Sequence, residues 1–283
     1  MAWHITDDLA AFDAAALGLL KQQPTQNTVL LSVPGVLRER GPNAFGSETP
    51  RFGWYEEPDG TVSGAFVHTP PHPLLLSHVP AEAVPALAEA LLASPCPLAG
   101  VNGQREQAQA VAQAWCAAKG TDAVLERTHR LYLLGQLIEP EPAPAGAARS
   151  ATADDLDLLL DWFVEFTAEV GDPVINAQRA VVDRLDYGGL TLWELDGVPV
   201  SMAGITRQLE GGGIRVGPVY TPKPSRGHGY AAAATAAVCR LAFERGAQEV
   251  SLYADVANPT SNSLYQRLGF RSLGERVVIR FEG

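Results

Sequence analysis

Between Ile214 and Tyr230 the chain passes from a β-branched run to an alanine-rich one through GPVYTPKPSRGHGY, which starts at Gly217. Ile214, Val216, Val219 and Tyr220 favour a strand, Pro222 and Pro224 cannot continue it, and the alanines after Tyr230 favour a helix. A strand that feeds a glycine turn and opens a helix is an anion-binding device. Glycines let backbone N–H groups close on a phosphate, and the helix dipole favours negative charge at its start. The arrangement suits a pyrophosphate and requires a mixed α/β fold.

Gly217-Pro218 adds a second constraint. Proline donates nothing to a ladder, and a glycine within a strand often marks a bulge. Either the strand edge kinks here, or a bulge pries it from a parallel neighbour, expected at Glu249–Val256. In the second case Val219 to Thr221 keep unpaired backbone groups that an amide-bearing ligand arm can pair with. The turn does not read as a nicotinamide site. A dinucleotide fingerprint needs a third glycine where Ala232 stands and an acid about 20 residues on, and Asp255 lies beyond that spacing.

A second run, DVANPTSNSLYQRLGF from Asp255 to Phe270, follows. Asn258 can cap a helix whose first turn tolerates Pro259, which sets Tyr265 two turns along. A phenol, ordinarily titrating near pH 10, can hand a proton to a leaving thiolate and still be protonated at neutral pH. A tyrosine half-buried in a helix occupies the same kind of position.

The chain has 283 residues, enough for two domains, and at 46% hydrophobic and 19% charged it is globular in composition. The net charge of −11 argues against nucleic acid and anionic membranes as partners and is compatible with an amine substrate. Cys96, Cys116 and Cys239 show neither a disulfide framework nor metal-ligand spacing, so a reducing, cytoplasmic compartment is expected. No signal peptide is read at the N-terminus, and the alanine-rich run is too short to span a bilayer. His68, His72 and His78 match no zinc template, so no metal is expected. A homodimer stays open.

Residues 139–150, EPEPAPAGAARS, read as a Pro/Ala-rich linker between a domain at 1–138 and a domain at 151–283. The first half is expected to start with a helix capped around Thr6-Asp7-Asp8. A second helix over Thr28 to Arg40 is interrupted by Pro34. Strands follow at Arg51–Glu56, Val62–His68 and Leu74–Val79, a helix at Ala81–Ala93, a strand near Leu98–Val101, a helix from Gln104, and a last strand at Arg130–Leu134. The second half predicts the same order. Helices cover Asp154–Glu169 and Pro173–Tyr187. Strands Leu190–Leu195 and Val198–Ile205 join at Asp196-Gly197. Then come a strand at Ile214–Thr221, a helix at Gly229–Arg245, a strand at Glu249–Val256, a helix at Pro259–Leu268 and closing strands near Phe270–Leu273 and Val277–Phe281. Shared order implies an internal duplication.

The two motifs together resemble the GCN5-related N-acetyltransferases, the GNAT family. Arg226, Gly229 and Ala231 match its Q/R-x-x-G-x-G/A motif, and Asn258, Ser261, Tyr265, Gly269 and Phe270 match its second. The resemblance covers about 190–281 by motif and reaches back to about 152 by element order. It implies two GNAT-like domains, each a mixed, mostly antiparallel sheet flanked by helices, with a splayed parallel strand pair in the second. It also implies acetyl-CoA as cofactor, with its pantetheine arm on Val219, Tyr220 and Thr221. Its pyrophosphate would lie on Arg226, Gly227, His228, Gly229, Tyr230 and Ala231, with Asn258 and Ser261 beside the arm. Tyr265 would protonate the CoA thiolate after direct attack by a small primary amine.

No base carries over. Glu165, Glu169, Glu194 and Asp255 are candidates, with Asp255 first because it ends the strand facing the splay. In the first half Ala81 to Pro85 replace the glycine turn, Glu82 would repel phosphate and no tyrosine matches Tyr265, so a degenerate copy that does not bind CoA is expected. Malonyl- or succinyl-CoA as donor and a non-catalytic CoA-sensing or protein-binding module are the alternatives. The acceptor pocket is expected from loops around 171–189 and 206–213.

Overall fold

A computed structural model describes residues 1–93, 98–171 and 177–282. The first half runs β1 (Ala2–Thr6), α1 (Leu9–Gln22), α2 (Thr28–Arg40), β2 (Arg51–Glu56), β3 (Val62–His68), β4 (Leu74–Leu76), α3 (Ala83–Leu92), β5 (Gly100–Gln104), α4 (Arg105–Lys119) and β6 (Asp122–Leu134). The second runs β7 (Ala147–Ser150), α5 (Leu156–Val170), α6 (Ala177–Asp186), β8 (Leu190–Leu195), β9 (Val198–Ile205), β10 (Gly213–Tyr220), α7 (Tyr230–Glu244), β11 (Glu249–Asp255), α8 (Pro259–Arg267) and β12 (Phe270–Glu282). Leaving aside short 3-10 turns, the two halves coincide element for element.

These strands form one sheet in the order β1-β2-β3-β4-β5-β12-β6-β11-β10-β9-β8-β7. Neighbours are antiparallel except at β4/β5 and β10/β11. The order shows an exchange: β6 of the first half lies against β11 of the second, and β12 of the second lies against β5 of the first. A ladder between β12 and β6, from Phe270↔Leu134 to Glu282↔Asp122, joins the halves. Each core is closed by the other half's strand. Val277 and Ile279 pack with Val111 and Trp115, and Tyr132 and Leu134 pack with Cys239 and Leu252. At roughly 1.5–3 kcal/mol for each large apolar side chain buried, these strands hold the halves together.

Alternation along the strands sorts the helices by face. In β4, Leu74 and Leu76 meet the core under α3 and α4, and Leu75 meets that under α1 and α2. In the second half α7 and α8 cover one face and α5 and α6 the other.

Several elements differ from the sequence-based expectation. β1 precedes the first helix, which Asp8 caps by accepting from the N–H groups of Ala10 (2.8 Å) and Ala11 (3.3 Å). Helix α2 runs through Pro34, because that residue is buried with Leu30, Leu31 and Leu37 and packing offsets the missing donor. β5 runs from Gly100 through Asn102 and Gly103 to Gln104, past the strand expected near Leu98–Val101, and β6 begins at Asp122 rather than near Arg130. The last four residues of the expected linker form β7, an edge strand on β8. It is tied down by Arg149, which donates to Glu194 (2.6 Å) and Asp155 (2.7 and 2.8 Å). Hydrogen bonding from Arg149 is the main cause that holds the Asp155 carboxyl down at about 2. The helix expected at Pro173–Tyr187 appears as α6; residues 173–176 of it, like Cys96, lie outside the described residues.

Candidate active site

Strands β10 and β11 pair only at Gly213↔Glu249, Ile214↔Val250 and Arg215↔Ser251. On its other side β10 stays with β9, but the register shifts between Val216 and Val219. Gly217 and Pro218 together oppose the single residue Gly204, and Gly217, at φ 145°, adopts a conformation that residues with a side chain disfavour. Beyond them no ladder joins Val219 and Tyr220 to Tyr253–Asp255, so the parallel strands diverge as the bulge predicts. The carbonyl of Tyr220 accepts from Ser201 Oγ (3.1 Å), which also lies 2.8 Å from Thr221 Oγ1.

The glycine turn follows. Arg226 donates from Nε to the Thr221 carbonyl (2.8 Å) and grips Glu169 with its Nη2 (2.7 and 2.8 Å). Gly227 and Gly229 have φ of 84° and 83°, and the stretch Gly227–Gly229 is exposed. Among the described residues no side chain caps α7 at Gly229, so its first N–H groups and the positive end of its dipole are available to an anion. The His228 ring stacks on Tyr230, with centroids 5.4 Å apart, and Ala231 lies in the first turn of α7.

Opposite, Asn258 caps α8 by accepting from the Ser261 N–H (3.0 Å). Asn262 ties this end of the helix to β11. Its Nδ2 donates to the carbonyls of Asp255 and Asn258, 2.7 Å each, and its Oδ1 accepts from the Tyr132 hydroxyl at 2.8 Å. Tyr132 comes from the exchanged strand β6, so the first half clamps the helix that carries Tyr265. The Tyr265 ring is buried beside Tyr132 (6.4 Å) and edge-on to Phe270 (5.9 Å). Burial, and then the neighbouring Cys239, push its phenol pKa up. Among the described residues its hydroxyl makes no hydrogen bond, which leaves the proton for a ligand.

Of the four carboxylates read as candidate bases, three are engaged. Glu194 is held by Arg149, Glu169 by Arg226, and Glu165 accepts from the Tyr220 hydroxyl at 2.6 Å. Burial, then Glu165, push the Tyr220 phenol up to about 12. Asp255 is exposed at the end of β11, with Oδ1 accepting from the Ala257 N–H (2.8 Å). Val219–Thr221 follow the point where β10 leaves β11 and opens a cleft, Arg226–Ala231 form the turn into α7, Asp255 ends β11, and Asn258, Ser261 and Tyr265 lie at the cap and along α8. Tyr253 on β11 and Tyr132 and His129 on the neighbouring β6 were not read from the sequence. The Tyr253 hydroxyl is buried without a partner among the described residues. Alternation along β11 places Ser251, Tyr253 and Asp255 on the face of α5 and α6, a signal that could have found Tyr253.

The first half has the corresponding notch. β4 and β5 pair in parallel only at Leu74↔Val101 and Leu75↔Asn102. Past that point Arg276, buried and carried on β12, donates to the carbonyls of Leu76 (3.1 Å), Asn102 (3.4 Å) and Gln26 (3.1 Å).

Residues 156–270 match the Acetyltransferase (GNAT) family. No curated protein matches the chain. Among solved structures, a GCN5-related N-acetyltransferase from Sphaerobacter thermophilus is similar at 19% identity, over 98% of this chain and 95% of that one, with a TM-score of 0.64. A GNAT-family acetyltransferase from Colwellia psychrerythraea matches at 12% identity over the whole of both chains, with a TM-score of 0.62. A Drosophila protein matches at 12% identity over 99% and 98%, with a TM-score of 0.67. At these identities the likeness is one of fold, and it spans both halves. The family match lies wholly in the second half, over residues 156–270, where the chain is similar to the GNAT acetyltransferases.

Proposed function

We propose that the second half, residues 151–283, transfers an acetyl group from acetyl-CoA to a small primary amine by direct attack, and that residues 1–138 are a degenerate copy that does not bind CoA. One observation carries this reading. Two parallel strands part immediately after Arg215 and Ser251, next to an uncapped, glycine-flanked helix N-terminus. The pantetheine amides pair with the backbone of Val219, Tyr220 and Thr221. The pyrophosphate rests on the N–H groups of Gly227, His228, Gly229, Tyr230 and Ala231, with Arg226 bracing the turn. Asn258 and Ser261 flank the arm; because Asn258 Oδ1 is committed to its cap, its contact runs through Nδ2.

Acetyl-CoA supplies an activated acyl carbon. The amine lone pair forms the new C–N bond, a backbone N–H of the parted strand receives the oxyanion, and the C–S bond breaks. Tyr265, whose raised pKa keeps it protonated at neutral pH, gives its proton to the sulfur. Free-thiol release is the test, with acetyl-, malonyl- and succinyl-CoA each offered against a set of amines. Amine-dependent release with acetyl-CoA is expected. Preference for a longer acyl group would revise the donor, and tight CoA binding without release to any amine would favour a CoA-sensing module.

A further inference from the structure

Gln104, Arg276, His129 and Asp255 occupy one row of the sheet, on β5, β12, β6 and β11 in turn. Residues opposite one another on adjacent strands present their side chains to the same face, with Cβ atoms about 4.5–5.5 Å apart. His129 therefore stands beside Asp255. The face is that of α5 and α6: the His129 ring lies at a steep angle to that of Tyr253, centroid to centroid 6.4 Å, whereas Tyr132, of opposite parity, packs under α7 and α8. At this row β11 has already left β10. An imidazole from the first half is thus one strand spacing, about 4.8 Å, from the strand that borders the cleft.

Resting on the N-acetyltransferase reading, we propose that His129 is the base that takes the proton from the acceptor ammonium, and that Asp255 is a positioning residue that holds the imidazole. Of the other carboxylates read as candidate bases, Glu165 accepts from the Tyr220 hydroxyl, and Glu169 and Glu194 are held by Arg226 and Arg149. A carboxylate is ordinarily too acidic to hold a proton at neutral pH, while imidazole is matched to it. The charged and titratable groups on the surrounding elements are Asp255 and Tyr253 on β11, Arg276 on β12, Arg127 on β6, Glu165 and Glu169 on α5, Arg184 on α6 and Arg215 on β10. Arg276 spends its donors on carbonyls across β5, and Arg127 bonds the Val170 and Gly171 carbonyls at the end of α5.

The protons balance. The ammonium gives one to a His129 ring nitrogen, and the nitrogen lone pair attacks the thioester carbon. The nitrogen loses a second proton as the C–S bond breaks. Tyr265 protonates the sulfur and is refilled by that second proton, so one proton reaches solvent per turnover.

The test uses the full chain, acetyl-CoA and several primary amines of different basicity, with kcat/KM measured from about pH 5.5 to 9.5. The wild-type profile should rise through a midpoint that does not move with the amine. His129→Gln should lower kcat/KM about 10²–10³-fold at neutral pH and abolish that limb, with CoA affinity unchanged. Asp255→Asn should keep the limb but move it to lower pH, because an imidazolium without its carboxylate is less stable. If the variants fold poorly, an NMR titration of the wild-type His129 ring must share the midpoint of the limb. An unaltered limb in His129→Gln, or an NMR midpoint that differs from it, overturns the base and leaves the transferase standing. CoA binding without release to any amine overturns both.

Discussion

The sheet contains the same notch twice, and the two differ in what fills them. In the second half β10 and β11 part behind Gly217-Pro218, and the helix that follows starts at exposed glycines with no cap. In the first half β4 and β5 likewise part early, after two paired positions against three in β10 and β11, but the Arg276 guanidinium bonds the carbonyls beyond. The turn there is Ser77 to Glu82 without a glycine, and Ser77 Oγ is engaged by the Ala65 N–H and the His78 carbonyl. On the proposed reading, splayed strands alone do not make a cofactor site; a gap that no side chain bridges and an uncapped helix start are also needed. The filled half is still not spare, since its last strand supplies Tyr132 to the clamp on α8 and His129 to the row at Asp255.

The largest effect that sharpens this contrast is expected from Tyr265→Phe. With no tyrosine to match in α4, it makes the second half like the first, and kcat should fall about 10²–10⁴-fold while CoA affinity holds. Full turnover would remove the assigned proton donor. Next comes Arg276→Met, which leaves three carbonyls without their donor and should cost about 2–4 kcal/mol in a denaturant titration. A cost near zero would mean that Arg276 does not close the notch. Gly229→Glu copies the acidic start of α3 onto α7, at a position with φ of 83°. It should weaken CoA about 10–100-fold, roughly 1.4–2.7 kcal/mol. An unchanged dissociation constant would separate the helix tip from the pyrophosphate.

The smallest effect concerns the edge strand. Arg149→Ala should cost about 0.5–1 kcal/mol, since the guanidinium is partly exposed. Asp155 has a folded pKa depressed to about 2, so its contribution is complete above the ordinary carboxylate range near pH 4 and is lost as pH falls from about 4 to 2. The variant should flatten that part of the stability–pH curve.

What the sequence disclosed and what it hid divide along range of interaction. The bulge at Gly217-Pro218, the turn at Gly227–Gly229 and the Asn258 cap are local: the first two follow from glycine conformations that few other residues adopt, the third from a side-chain oxygen that accepts three residues on. The short edge strands β1 and β7 pair on one side only, and Ala147–Ser150 has the composition of the linker it emerges from. Strand exchange is a matter of lateral order, which no local pattern encodes. It is why Tyr132 and His129, about 130 residues before Asn262 and Asp255, could not be read into the second half's site, and why Arg276 could not be read into the first half's notch.

Calorimetric titration of the intact chain with CoA tests the difference between the notches most directly. One CoA per chain is predicted, with binding weakened about 10–100-fold in Gly229→Glu and kept in Arg276→Met. Two CoA per chain, or binding that survives Gly229→Glu unchanged, would contradict it.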